Sequence, residues 1–472
     1  MSPRFLPARP FSIAHRGASA YATESTQAAF VKAAELGADM WEIDIRMTAD
    51  GVPVVHHDAT LADGSAIVGM TRAALRDALP ACLDLDDLVA LAKEHGAGLY
   101  ADIKDADAAL PTLARLQAAA IDPVIIGAFD RDITEVLKKA GCPYPVSALV
   151  PPHTDPHSHA AHADVIHLCW ENLPSPHETL TRELFQRAFA DGKQIALWHE
   201  EDANRMAVMR QKPVIGICSD RPELVTPFRA PAHYPFQIVC HRGANSIAPE
   251  NTLPALECAL GAGFAAIEVD LHITADNEVV VLHDPTLDRT TTGSGPVTDQ
   301  TLAELRYLDA GAWFDPHFRD TRIPTLDETL GLLQKYDAAA YLEFKSAPPA
   351  PVLAKVKAAG LLDRVFFWSF NANFLSELRR LSPDARIMSR RQDFDSLDDT
   401  IAAYDANIVE FLPNDDLGEI AALRGSDIRS MVAYMGDDET VFKTMLRLRA
   451  DMFNLNQPFA FARFARRWLA DD

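Results

Sequence analysis

Two histidines and two carboxylates recur at fixed separations in two parts of the chain. His15-Arg16-Gly17-Ala18 returns as His241-Arg242-Gly243-Ala244, Glu42-Ile43-Asp44 as Glu268-Val269-Asp270, and His57-Asp58 as His283-Asp284. The spacing from first histidine to acidic pair to second histidine is the same in both copies. Imidazoles beside paired carboxylates suit a metal-assisted acid–base site. Glu268 and Asp270 lie two residues apart, so on a strand both point to one face. They are embedded in the apolar run Ala265-Ala266-Ile267 and around Val269, where solvation is hard to arrange, and they make a hard oxygen site for Ca2+ or Mg2+. His241 and His283 could act as general base and general acid for a substitution at phosphorus. Arg242 can fork onto phosphate oxygens. Asp284 either orients an imidazole or caps the following turn. In Tyr341-Leu342-Glu343-Phe344-Lys345, Glu343 and Lys345 share a face, as a candidate third ligand and a second phosphate cation.

A repeat this long is a whole domain rather than a solenoid unit. In each copy, short β-rich runs alternate with helical patterns. The first copy gives Phe11–Ala14, Met40–Arg46, Pro53–His56, Gly98–Ile103, Val124–Ala128, Val146–Val150, Val165–Cys169, Gln194–Trp198 and Val214–Cys218. The second gives Phe236–Cys240, Ala265–Leu271, Glu278–Leu282, Ala340–Phe344, Val365–Phe370, Arg386–Ser389, Ile408–Phe411, Ser430–Tyr434 and Met452–Leu455. This alternation predicts parallel βα units and two tandem (β/α)8 TIM-type barrels. A doubly wound sheet fits less well, because His-Arg-Gly-Ala is no dinucleotide loop. The predicted domains are 11–228 and 236–472, joined by a proline-bearing linker at 229–235. Every chemical group then falls at or just past a strand end, the face where barrel chemistry sits.

The chain has 472 residues, 48% hydrophobic and 24% charged, enough for two large cores. A formal net charge of −23 argues against nucleic acid and anionic membranes, so a phosphate ester would need local cations or a bound metal. The six cysteines show no paired spacing and read as buried free thiols. No apolar signal core opens the sequence, and no run approaches the roughly 18 apolar residues of a membrane span, so a cytoplasmic location without integral membrane association is expected. The segment holding His153, His157, His159, His162, His167 and His177 fits no metal motif and reads as a solvent-exposed loop. Oligomeric state is not legible.

Together these motifs resemble the glycerophosphodiester phosphodiesterase family. The matching text is His241-Arg242-Gly243, Pro249-Glu250-Asn251-Thr252, Glu268-Val269-Asp270, Thr274-Ala275-Asp276, Val281-Leu282-His283-Asp284 and Leu342-Glu343-Phe344-Lys345. The resemblance implies a TIM barrel with one divalent metal, Ca2+ or Mg2+, per active site. It implies cleavage of a small glycerophosphodiester to glycerol phosphate and an alcohol. Carried over, Glu268, Asp270 and Glu343 would ligate the metal, and His241 and His283 would be the acid–base pair. Arg242 and Lys345 would hold the phosphate, with Glu250, Asn251 and Asp284 supporting them. The sequence departs from the family at the seventh strand, where relatives carry a Trp and this chain reads Ala433-Tyr434-Met435-Gly436. Tyr434 could partly substitute. Trp313, Phe314 and Phe318 could cover the pocket or pack against the rim.

The first copy keeps His15, Arg16, Glu42, Asp44, His57 and Lys104, and its third acid becomes Asp102. It lacks the counterpart of the aromatic segment, predicting a more open mouth, and retains Trp198. The second domain is expected to carry most of the turnover. Two rivals stand beside this reading: a lysophospholipase D or sphingomyelinase D-like phosphodiesterase, and a protein that binds phosphodiesters without cleaving them. The retained histidines disfavour the second.

Overall fold

The computed structural model describes residues 7–170 and 173–470. The chain forms two compact units, Met1–Thr226 and Pro227–Asp472.

In the first unit the strands are β1 (Phe11–Ala14), β2 (Met40–Met47), β3 (Pro53–Val55), β4 (Gly98–Ile103), β5 (Val124–Ala128), β6 (Val146–Val150), β7 (Val165–Cys169), β8 (Gln194–Trp198) and β9 (Gly216–Ser219). Eight of them are parallel and close into a ring, because β1 pairs with both β2 and β9. β3 is not a stave of the ring. It folds back antiparallel on β2, Ile45 opposite Val55, and so swings the following His57 over the carboxyl end.

The second unit repeats this plan with β10 (Gln237–Cys240), β11 (Ala266–Ile273), β12 (Val279–Val281), β13 (Ala339–Phe344), β14 (Val365–Trp368), β15 (Arg386–Arg390), β16 (Ile408–Phe411), β17 (Arg429–Tyr434) and β18 (Met452–Leu455). β10 pairs with β11 and β18 to close the ring, and β12 is the antiparallel return on β11. Each unit is therefore a (β/α)8 barrel with a hairpin after its second stave.

The staves read as near-continuous apolar runs because helices cover one face and the barrel core fills the other. Inside the first barrel, Ile13, Tyr100, Ile125, Leu149, Val165 and Ala196 pack beneath the mouth. Inside the second, Tyr341 stacks on Phe366 with ring centroids 4.9 Å apart.

Three sequence expectations need adjustment. Phe228, assigned to the first domain, packs in the second unit against Phe236 and Phe264, and Tyr234 of the expected linker is buried there too. The histidine-rich segment is not uniformly exposed. His167 is fully buried on β7 with its Nδ1 2.6 Å from the Tyr100 hydroxyl, and His157 is buried against Asp191. Alternation along β7 turns His167 into the barrel. All six cysteines are free, but Cys142 is only half-buried.

Candidate active site

The repeated His-Arg-Gly-Ala text is a tight turn at the end of the first stave. Arg242 has φ 57° and Gly243 φ 82°, and a Cβ on Gly243 would lie 2.9 Å from the Ala255 carbonyl carbon. Only glycine permits this turn to rest on helix Leu253–Gly261, where the Ala244 N–H donates to the Ala255 carbonyl. The turn aims the Arg242 N–H at Glu268 Oε2, 2.8 Å away. The first barrel copies it, with Arg16 at φ 52° and its N–H 3.0 Å from Glu42 Oε2.

Glu268, Asp270 and Glu343 point inward from β11 and β13, where Asp270 and Glu343 are register partners. One oxygen from each lies within 4.8 Å of the others. Glu42, Asp44 and Asp102 converge in the same way from β2 and β4. Burial, then the neighbouring Asp270 and Glu343, push the Glu268 carboxyl well up, and burial and Asp270 push Glu343 up to about 7. Three carboxylates so close in a dry site are short of positive charge. Lys345 reaches both Glu343 and Asp270, and Arg242 Nε lies 3.6 Å from Asp270 Oδ2, which offsets part of that deficit. Glu268 Oε1 is buried and has no hydrogen-bond partner. This donor set, all hard oxygen with an orphaned lone pair, fits a divalent cation. In the first barrel it is Asp102 Oδ1, on the counterpart of Glu343, that is buried without a hydrogen-bond partner, and Lys104 contacts Asp44 and Asp102.

His241 stands beside the trio with Nε2 3.8 Å from Glu268 Oε2. Its Nδ1 lies 2.5 Å from Asn456 Oδ1, just past the last stave. Burial, then Arg242, lowers its pKa to about 4, so it is a neutral imidazole. In the first barrel Asp220 replaces Asn456, 2.7 Å from His15 Nδ1. Sequence reasoning missed both partners. Aligning the two copies to their ends would have found them, since each follows directly on the final stave.

His283 Nδ1 lies 2.7 Å from Asp284 Oδ1, so Asp284 orients the imidazole. Arg289, also missed, bridges Asp284 and Glu250 at 2.7 Å each. Glu250 accepts from Arg242, and Asn251 Nδ2 donates to Asp270 Oδ2 at 2.7 Å. His57 and Asp58 repeat the first contact at 2.8 Å, but Ser25 replaces Asn251, and among the described residues no arginine bridges Asp58 and Glu24.

Among the described residues a third cluster, His199, Glu201 and Asp220, sits in the first barrel alone. Its carboxylates are already engaged: Asp220 by His15 and Ser19, Glu201 by Ser219, His199 and the Asp220 N–H. It reads as a scaffold behind His15.

Tyr434 does not take the place of the missing tryptophan. Ala433 pairs with the inward Asn454, so Tyr434 turns outward, its ring 5.9 Å from Phe442. In the first barrel Trp198 fills the inward place with its edge on His15, 5.3 Å between centroids. In the long segment after β12, Phe318 is buried and Trp313 is 41% exposed. That segment folds on itself, its Gly311, Ala312 and Asp320 N–H groups donating to the Asp309 carboxylate.

Both units are thus parallel α/β barrels that gather acidic trios and paired imidazoles at the carboxyl ends of their strands. The pattern defining the Glycerophosphoryl diester phosphodiesterase family matches residues 15–116 and 241–433. The chain belongs to that family. It is 36% identical over 156 residues to a glycerophosphodiester phosphodiesterase of Caldanaerobacter subterraneus, covering 32% of this chain and 64% of that one. It is 36% identical over 165 residues to one of Bacillus subtilis, covering 31% and 56%. These alignments therefore span less than two thirds of the relatives' own length. A crystal structure of a glycerophosphodiester phosphodiesterase from Agrobacterium tumefaciens aligns with 38% identity and a TM-score of 0.47, covering 48% of this chain and 99% of that one.

Proposed function

We propose that the chain hydrolyses small glycerophosphodiesters to glycerol phosphate and an alcohol, with the second barrel as the main site. The observation that carries this is the convergence of Glu268, Asp270 and Glu343 beside a neutral His241, within reach of Arg242 and Lys345. Family membership and the named relatives support it.

Glu268, Asp270 and Glu343 would hold a divalent cation, Ca2+ or Mg2+, which supplies Lewis-acid polarisation of the phosphoryl oxygen. Arg242 and Lys345 bind the remaining phosphate oxygens and offset the charge that builds at phosphorus. His241, with its Nδ1 proton donated to Asn456, presents Nε2 as the base for the attacking hydroxyl. His283, oriented by Asp284, gives its proton to the leaving alcohol oxygen. The Arg289 bridge keeps Asp284 and Glu250 in place. In the first barrel His15, His57, Glu42, Asp44, Asp102, Arg16 and Lys104 repeat these roles with less support behind the second histidine.

The test is release of glycerol phosphate from several glycerophosphodiesters by chelated protein, with Ca2+, Mg2+, Mn2+ and Co2+ returned one at a time. Turnover restored by one of these ions supports the reading. No turnover with any of them, on any substrate, sinks it. A strong preference for lysophosphatidylcholine over glycerophosphocholine would favour the lysophospholipase D-like rival.

A further inference from the structure

The mouths of the two barrels share their acidic floor but exchange bulk and polarity around it. Gly127 pairs with Asp102, and Trp368 pairs with Glu343, so these two residues hold equivalent inward places. Trp198 and Ala433 are equivalent in the same sense, on the opposite side of the mouth. The first barrel is wide where the second is walled, and the reverse.

The next staves diverge in chemistry. Arg390 pairs with Glu410 on β15 and β16, and both face inward. Their counterparts are Leu149 and His167 on β6 and β7. Leu149 offers no polar atom, and His167 is fully buried with its Nδ1 on Tyr100. In the second barrel the Arg390 guanidinium lies 5.2 Å from the ring centroids of both Trp368 and Phe370. Glu410 is 7% exposed and takes only a long 3.5 Å contact from Asn454 Nδ2. It makes no other hydrogen bond among the described residues, and Asn454 Oδ1 has no partner. A carboxylate this buried with spare acceptor capacity calls for donors from a ligand.

We propose that Glu410 and Arg390 form a subsite for a vicinal diol in the second barrel, and that the first barrel has none. The inference rests on the hydrolase reading. Two adjacent hydroxyls can donate to the Glu410 carboxylate while Arg390, stacked on Trp368 and Phe370 with its Nε and Nη2 turned to the Gln392 side-chain oxygen, donates to one of their oxygens through Nη1. The aromatic pair then covers the carbon face. A diol can come from the glycerol half of the substrate or from a polyol alcohol half.

The test is calorimetric titration of the whole chain, with Mg2+, using sn-glycerol 3-phosphate and 3-hydroxypropyl phosphate, which lacks the vicinal diol. The diol compound should show two affinities and the deoxy compound only the weaker. Glu410→Gln should weaken the tighter class for glycerol phosphate by about tenfold or more while leaving 3-hydroxypropyl phosphate within about twofold. Arg390→Met should do the same, which keeps the test open if one variant misfolds. A general structural defect would weaken both compounds alike. Equal affinity for the two compounds in the unaltered chain, or an unchanged ratio in both variants, overturns the proposal whether or not turnover is seen. Absence of turnover in the unaltered chain, with the diol preference intact, would count against the hydrolase reading instead. Comparing KM for glycerophosphocholine and glycerophosphoglycerol locates the diol. A Glu410→Gln rise for both assigns it to the glycerol half, and a rise confined to glycerophosphoglycerol assigns it to the alcohol half.

Discussion

The Nδ1 of His241 is held 2.5 Å from the side-chain oxygen of Asn456, an oxygen that also accepts from Asn245 at 2.8 Å. An amide oxygen only accepts, so Nδ1 carries the proton and Nε2 is the basic nitrogen. Removing this control in Asn456→Ala lets the ring turn and change tautomer. A general base contributes roughly a hundredfold or more, so kcat should fall by about tenfold to a hundredfold with KM little changed. Steady-state kinetics on glycerophosphocholine check this; a KM effect alone would contradict it.

The two barrels should contribute unequally. His283 is backed by Asp284 and the Arg289 bridge, whereas among the described residues His57 has only the exposed Asp58 behind it. His283→Ala is expected to remove most of the turnover, and His57→Ala to remove the smaller part. A greater loss from His57→Ala reverses the ranking.

Cation binding should report on folding as well as on rate. An ion at about a hundred times its dissociation constant stabilises the unit that binds it by about 3 kcal/mol. Added Ca2+ or Mg2+ should therefore raise the melting temperature, and Glu268→Gln should remove the second unit's share of that rise. A melting profile indifferent to divalent ions in the unaltered protein would contradict the oxygen trio as a cation site.

Acid should weaken the first barrel through His167. Burial pushes this imidazole down to about 4, against about 6.5 in the unfolded chain. The unfolded state binds the proton first, so stability is full above about 6.5 and falls as the pH drops towards 4, by about 3 kcal/mol. Urea denaturation of the unaltered protein and His167→Gln at pH 7 and pH 4.5 checks the sign. The variant should lose less on acidification.

Much of this architecture was legible because each stave is a short apolar run bounded by turns, and Gly98–Ile103, Val124–Ala128 and Ile408–Phe411 fall where periodicity puts them. The acidic trios were legible because carboxylates in apolar strands are rare and were repeated. What escaped depends on strand register and closure. Asn456 meets His241 only because β18 closes on β10, a contact between the two ends of a barrel that no local pattern encodes. Tyr434 was misread because a single step along β17 reverses the direction of a side chain. Arg289 lies in a loop, where no periodicity marks it.

The left-handed turn at Arg242 divides one residue into two independent instruments. Its main-chain N–H steadies Glu268, while its guanidinium serves Glu250 and Asp270. Replacing the side chain therefore strips charge from beside Glu250 and Asp270 and leaves Glu268 anchored. Altering Gly243 would unseat the anchor and spare the charge. On the proposed reading, substrate affinity and cation retention are then weakened separately at adjacent positions.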